Sequence, residues 1–355
     1  MDFEQNNSHL ADSHPADSSS GTTEPSSGLG AGRTRMEPRR KGAGWRIFWG
    51  IVLALSVMAN IALFLMLIGV VAIFATGQRG EEVIREGPAR TKIAMITVKG
   101  LIYGEQAENV YRQLKAARRD KHVKGVIIQV NSPGGTISGS DQIHKEILKY
   151  REEENKPVIA FMQGVAASGG YYTSVACEKI IAEPTTITGS IGVIGSYFVV
   201  QELLEDKLGV LPVVVKSGQK KDWPSSFRAP QPEEIQYMRD KLITPALERF
   251  VEVVAEGRKA SLTLSEVRSL AEDAGIFGAK EALEEKLIDK IGYLDDAIEL
   301  AKSLAGIDEA KVVQYRKPFS LTDFLSYRKS NLLKIDRSTL DELGTPQILY
   351  LWRAY

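Results

Sequence analysis

The sequence has a single cysteine in 355 residues, Cys177. That excludes an intramolecular disulfide framework and any cysteine-rich zinc site. Histidine is almost as scarce: His9, His14, His122 and His144 are too few and too scattered to suggest a multi-histidine metal centre. Net charge is missing too, with 45 Lys+Arg against 45 Asp+Glu. Holding nucleic acid through counterion release requires a clustered basic excess, so no nucleic-acid partner is expected.

Two local absences organise the N-terminal region. Residues 1–44 hold almost no aromatic or β-branched apolar side chains and are rich in Ser, Gly, Asp and Pro. Such a segment buries too little surface to offset its ordering entropy, which predicts a disordered tail. Between Arg46 and Arg79 there is no Asp, Glu, Lys or Arg, and Asn60 is the only strongly polar side chain near the centre. Roughly 20 helical residues cross a bilayer core, so residues 45–77 are expected to form one transmembrane anchor that binds membrane lipid. The leader before it exceeds forty residues, which argues against a cleaved signal peptide. Arg33, Arg35, Arg39, Arg40, Lys41 and Arg46 outweigh Arg79, Arg85, Arg90 and Lys92 on the far side. The bias predicts a cytoplasmic N-terminus and an extracytoplasmic body.

Residues 78–90 read as a linker, after which the pattern changes. Short apolar runs (KIAMITVKGLI, VKGVIIQVNS, PVIAFMQG, KIIAEP, VLPVVVKSG) alternate with amphipathic stretches such as ENVYRQLKAARRD and SDQIHKEILKYREEE. Strands separated by helical stretches predict βαβ units and a largely parallel sheet. AASGGYYTSVACE and VVQELLEDKLG also read as helical, and residues 231–305 as mostly helical.

Ligands gather at the carboxyl ends of strands in open α/β sheets, and three loops lie at such ends. Asn131-Ser132-Pro133-Gly134-Gly135 offers backbone N–H groups with no Cβ in the way. Ala166-Ala167-Ser168-Gly169-Gly170 places a serine at a strand-to-helix transition, either as nucleophile or as a simple helix cap. A nucleophilic serine needs a base. His9 and His14 precede the anchor, and His122 and His144 read as surface residues, so no Ser/His/Asp triad is indicated. A lysine remains, provided its amine is partly neutral. The third loop, Lys216–Pro224, supplies Lys216, Lys220 and Lys221, and composition does not choose among them.

NSPGG, then ASGGYY, TGSIGVIG and KSGxxKD, in that order, resemble the signal peptide peptidase A family over roughly Lys92 to Tyr315. The resemblance implies a Clp protease/crotonase-like α/β fold, with the catalytic domain over residues 91–318 and a C-terminal extension over 319–355. It implies Ser168 as nucleophile, Lys221 as general base, Gly135 and Gly169 as oxyanion donors, and Ser190 as support for the lysine. No cofactor or metal is implied. Hydrophobic peptides left after signal-peptide removal are the implied substrates, in a bacterial cell membrane. The implied assembly is a homo-octamer whose dyads are shared between protomers. Two departures stand out. Lys220 adjoins Lys221, with Asp222 favouring the latter as base, and Lys286 stands where relatives often carry Gly.

Two other functions fit the same fold: a crotonase-type acyl-CoA enzyme and a non-catalytic membrane scaffold. The anchor and the Ser168/Lys221 pair favour a peptidase. The apolar terminus TPQILYLWRAY is compatible with a substrate-like strand in a neighbour's groove or with a docked terminal strand.

Overall fold

The computed structural model describes residues 42–75, 81–315 and 347–352. The chain divides into two units, Met1–Ile68 and Gly69–Tyr355. The anchor helix α1 runs Ala43–Ala75, and its Gly44–Gly69 portion is long and apolar enough to cross a membrane. Asn60, its polar exception, donates from Nδ2 to the Ser56 carbonyl at 2.7 Å. That bond satisfies the amide along the helix, as an apolar solvent demands.

In the second unit the chain runs through β1 (Glu81–Arg85), β2 (Lys92–Lys99), α2 (Gly104–Arg119), β3 (Val123–Ser132), β4 (Gly134–Thr136) and α3 (Ile137–Glu154). Next come β5 (Val158–Ala167), α4 (Gly169–Ser174), β6 (Lys179–Ala182), β7 (Ile187–Gly189) and β8 (Ile194–Ser196). After these come α5 (Pro232–Met238), α6 (Thr244–Gly257), α7 (Leu264–Leu270), β9 (Ile276–Gly278) and α8 (Ala279–Glu284). The last elements are β10 (Lys290–Ile291), α9 (Leu294–Ala305), β11 (Lys311–Tyr315) and β12 (Gln347–Leu351). β1 falls inside the segment read as linker, and pairs antiparallel with β11.

The main sheet has the order β1-β11-β2-β3-β5-β6-β10, parallel from β11 to β10. Residue alternation explains its two cores. Ala94, Ile96, Val98, Val126, Ile128 and Val130 point into the layer that packs with α2, α3 and α6. Ile93, Met95, Ile127, Ile159 and Phe161 point to the other face, beneath α9. Each fully buried Ile or Phe contributes about 1.5–3 kcal/mol, and helices on both faces keep the parallel strands dry.

β5 changes partners along its length, and this positions the site. Ile159–Met162 pair with β6, whereas Val165–Ala167 pair with β7. A register shift against β3 between Val130 and Ser132 marks the corner. The carboxyl end of β5 therefore leaves the main row of strands beside β4 and β7.

The segment VLPVVVK was expected to be a strand. Residues 209–216 have no regular secondary structure and join no ladder, with Leu211, Val213 and Val215 74%, 78% and 94% exposed. The helix expected over AASGGYYTSVACE is only Gly169–Ser174. His144, read as a surface residue, is buried. It lies in the Ser140, Ile143, Ile147, Tyr150 stripe that α3 turns inward.

Arg258 and Asp289 tie the C-terminal half to the sheet. Buried Arg258 donates twice to the Lys286 carbonyl, at 3.0 and 2.8 Å, and once to Asp289 at 2.8 Å. The same Asp289 oxygen accepts the Ile180 N–H of β6 at 2.8 Å. Lys286 has φ 59, the left-handed backbone that glycine adopts without strain, so the expectation of glycine at this position has a physical basis. Burial alone would raise the Asp289 pKa, but the Arg258 guanidinium and the Ile180 N–H outweigh it and hold the carboxyl below its ordinary value. Its contribution is therefore complete above an unfolded pKa of about 3.9 and is lost as pH falls through the depressed folded value. Arg258→Met is expected to cost about 3 kcal/mol at pH 7, by leaving a largely buried carboxylate with only the half-exposed Lys179, at 3.4 Å, as its ion-pair partner. Denaturant unfolding at pH 7 and pH 3 checks this, since the variant should also lose part of the wild-type acid sensitivity.

Candidate active site

Ser168 stands between β5 and α4 with φ 52 and ψ −115, a conformation that strains any residue with a Cβ. Its N–H donates to the Gly189 carbonyl at 2.8 Å, and its carbonyl accepts the Tyr172 N–H at 2.8 Å. The residue is 1% exposed, and among the described residues its side chain makes no hydrogen bond. The backbone is thus fully engaged while the hydroxyl is uncommitted.

Two glycine loops meet beside it. Gly134 has φ +103, and a Cβ there would strike the Tyr350 carbonyl oxygen and lie 2.7 Å from the Gly169 nitrogen. A Cβ on Gly169 would strike Ser140 Oγ and stand 3.1 Å from both Gly134 Cα and the Tyr350 oxygen. Only glycine permits this approach at either position. Ser132 Oγ fixes the first loop, donating to the Gly100 carbonyl at 2.5 Å and accepting the Gly134 N–H at 3.1 Å. Ser190 follows Gly189 directly, has φ 49, is nearly buried and donates its N–H to the Gly275 carbonyl at 2.7 Å. The fold therefore brings Ser168, Gly135, Gly169 and Ser190 into one neighbourhood.

An extended segment of the same chain already fills the groove. β12 lies between β4 and β8, antiparallel to both, with Tyr350 opposite Gly135 and Leu351 opposite Gly134. The Trp352 N–H continues the contact to the Pro133 carbonyl at 2.8 Å. Fully buried Tyr350 stacks on Tyr172 at 5.1 Å, meets Phe250 at 4.7 Å and donates its hydroxyl to the Ala246 carbonyl at 2.8 Å. Tyr172 in turn donates to Asp141 at 2.6 Å, and Arg249 contacts the same carboxylate at 3.4 Å. No local motif announced this aromatic pocket, because its walls come from α3, α4 and α6.

His144 packs edge-on against Tyr172 at 5.2 Å, and among the described residues its ring makes no hydrogen bond. Burial pulls its pKa down to about 4, so the ring is neutral at pH 7. Exposed Lys221 lies in the short turn Gln219–Asp222, where its N–H donates to the Gly218 carbonyl at 3.0 Å; among the described residues its side chain has neither an ion pair nor a hydrogen bond. Among the described residues, no lysine nitrogen hydrogen-bonds Ser168 or Ser190. Lys216 and Asp222 pair at 2.6 Å, and Lys216 holds the Asp222 carboxyl below its usual value. An apolar cavity of about 800 Å³ adjoins this loop, lined by Phe198, Val199, Leu203, Val214, Pro224 and Phe227 among others. Among the described residues, no group of three or more His, Cys, Asp or Glu is placed to hold a metal ion.

The glycine approach can be tested in isolation. Gly134→Val should push β12 off β4, so that the amides of Gln347–Leu351 exchange hydrogen about tenfold faster or more. Unchanged exchange in that segment would contradict the close packing.

Comparison with known proteins bears on what the site does. The Clp protease family profile matches residues 79–186, and the peptidase family S49 profile matches residues 150–308. A protein of Enterococcus faecium provisionally named signal peptide peptidase SppA is 38% identical over 254 residues, 68% of this chain and 72% of that protein. The chloroplastic serine protease SPPA of Arabidopsis thaliana is 35% identical over 245 residues, covering 67% of this chain and 35% of that one. Protease 4 of Salmonella typhi is 32% identical over 240 residues, 66% of this chain and 38% of the relative. The similarity to the Enterococcus protein runs through most of both chains, and it makes this chain a member of peptidase family S49, a serine peptidase on a Clp protease-like α/β fold.

Proposed function

We propose that this chain is a membrane-anchored endopeptidase that cleaves hydrophobic peptides, remnant signal peptides among them, with Ser168 as nucleophile and Lys221 as general base. The observation that carries this reading is β12. An extended apolar segment, antiparallel on β4 next to Ser168, is seated as a peptide substrate would be, by adding a strand to an open edge. A groove that takes backbone in this way favours peptides over an acyl-CoA thioester. The single long apolar helix supports anchoring, with the arginine-rich tail on the cytoplasmic side.

In the proposed reaction the neutral Lys221 amine accepts the Ser168 proton as Oγ attacks the peptide carbonyl. The N–H groups of Gly135 and Gly169 stabilise the oxyanion. The lysine ammonium gives its proton to the leaving amine, and water then hydrolyses the acyl-enzyme by the same steps in turn. Ser190 holds the lysine toward the nucleophile.

Among the described residues the Lys221 amine has no partner, so we assign the dyad to two protomers of a symmetric ring, an octamer in the form we favour. Leu211, Val213 and Val215, exposed and outside any ladder, supply an apolar surface for the neighbouring copy.

Ser168→Ala and Lys221→Ala should each reduce cleavage of a hydrophobic fluorogenic peptide by at least about a thousandfold, while Lys220→Ala retains most of it. Fluorophosphonate should label Ser168 alone. Co-assembling the two inactive variants should restore on the order of a quarter of wild-type activity, the chance that random neighbours supply one intact half each. Zero recovery from mixed rings of normal size would refute a shared dyad.

β12 and a substrate compete for one strand edge. Deleting residues 346–355 should therefore raise kcat/KM for short peptides several-fold. Loss of assembly without any gain in activity would speak against an inhibitory role.

A further inference from the structure

The base-bearing loop presents two consecutive lysines, and the structure treats them differently. Lys220 Nζ lies 4.3 Å from the centroid of the Tyr237 ring and 5.5 Å from that of Trp223. The two rings meet edge-on at 5.6 Å and form two walls of a cage. A cation over aromatic faces is attracted by their quadrupoles, most strongly where water is partly excluded.

The cage wall is anchored from behind. Tyr237 sits on α5, whose fully buried Glu234 accepts from Arg228 at 2.6 Å and from the Ser225 N–H at 3.2 Å. Arg228 also reaches Asp222 at 3.6 Å, and Lys216 takes the other Asp222 oxygen at 2.6 Å. Lys216 is therefore paired, Lys220 is caged and Asp222 is neutralised. Lys221 alone is left uncommitted. Successive residues of a 3-10 turn point about a third of a turn apart, so a caged Lys220 directs its neighbour away from the rings.

We propose that Trp223 and Tyr237 are positioning residues for the peptidase reaction: they sequester the Lys220 ammonium, so that only Lys221 is free to reach the nucleophile. This rests on Lys221 as base and explains how the chain tolerates a second cationic amine beside it. Released from the cage, Lys220 would compete for the same acceptors and exclude Lys221 without relieving Ser168 of its proton.

The test uses the full-length protein in detergent, with two readouts. Acetylation by an amine-reactive ester, followed by peptide mass spectrometry, should modify Lys220 at least threefold faster in Tyr237→Leu than in wild type. Cleavage of a hydrophobic peptidyl-coumarin amide by Tyr237→Leu should show kcat lowered about tenfold with KM within twofold, a loss of about 1.4 kcal/mol in transition-state stabilisation. Tyr237→Phe, which keeps the ring face, should recover kcat. Adding Lys220→Met to Tyr237→Leu should recover it too, because the competitor is gone.

Equal acetylation rates would overturn the cage and leave the base assignment standing. A loss of kcat that Lys220→Met fails to recover would overturn the competition and reduce Tyr237 to packing. Full activity in Lys221→Ala would instead sink the base assignment, and the proposal with it, whatever the labelling shows.

Discussion

The site depends on two backbones approaching more closely than any Cβ allows. Gly134 and Gly169 come from loops at the ends of adjacent strands, and each occupies space that the other's side chain would need. Their contact fixes the strand-to-helix corner that carries Ser168 at φ 52. The cost of that conformation, of order 1–3 kcal/mol, is offset by the bonds to Gly189 and Tyr172 and by the core beneath. In return, the corner engages every polar backbone atom of Ser168 and leaves its hydroxyl unclaimed.

Much of this was legible because the signals were local. The apolar runs of β2, β3 and β5 and the glycines after them marked the strand ends at which Ser168, Gly134 and Gly169 meet, while the proposal of Ser168 as nucleophile came from the family resemblance. What escaped was set by partners distant in sequence. VLPVVVK has every property of a strand, but no neighbour among the described residues completes its ladder. His144 looked polar and therefore exposed, yet residue spacing places it on the inward stripe of α3, where a neutral ring packs on Tyr172. The Tyr350 pocket draws on three helices, and no window of sequence contains it. Lys286 shows the opposite case: its left-handed backbone explains a departure that composition could only note.

The loop after the main sheet follows a different logic from the core. Its order comes from charge pairing and ring faces rather than burial, with Glu234 as the one fully buried carboxylate. Exposed pairs of this kind contribute little to stability, so their value here is directional. Lys216, Asp222, Arg228 and Glu234 form a chain that fixes where the neighbouring side chains point.

β12 carries a further consequence through its covalent connection. A tethered ligand presents itself to its own groove at an effective concentration on the order of millimolar, which any free peptide must match to displace it. Dilute peptides in bulk solution would rarely do so. Under the proposed function, peptides confined to a bilayer plane beside an anchored body would be enriched in two dimensions, and the strand would then act as a threshold that such peptides cross and dilute solutes do not.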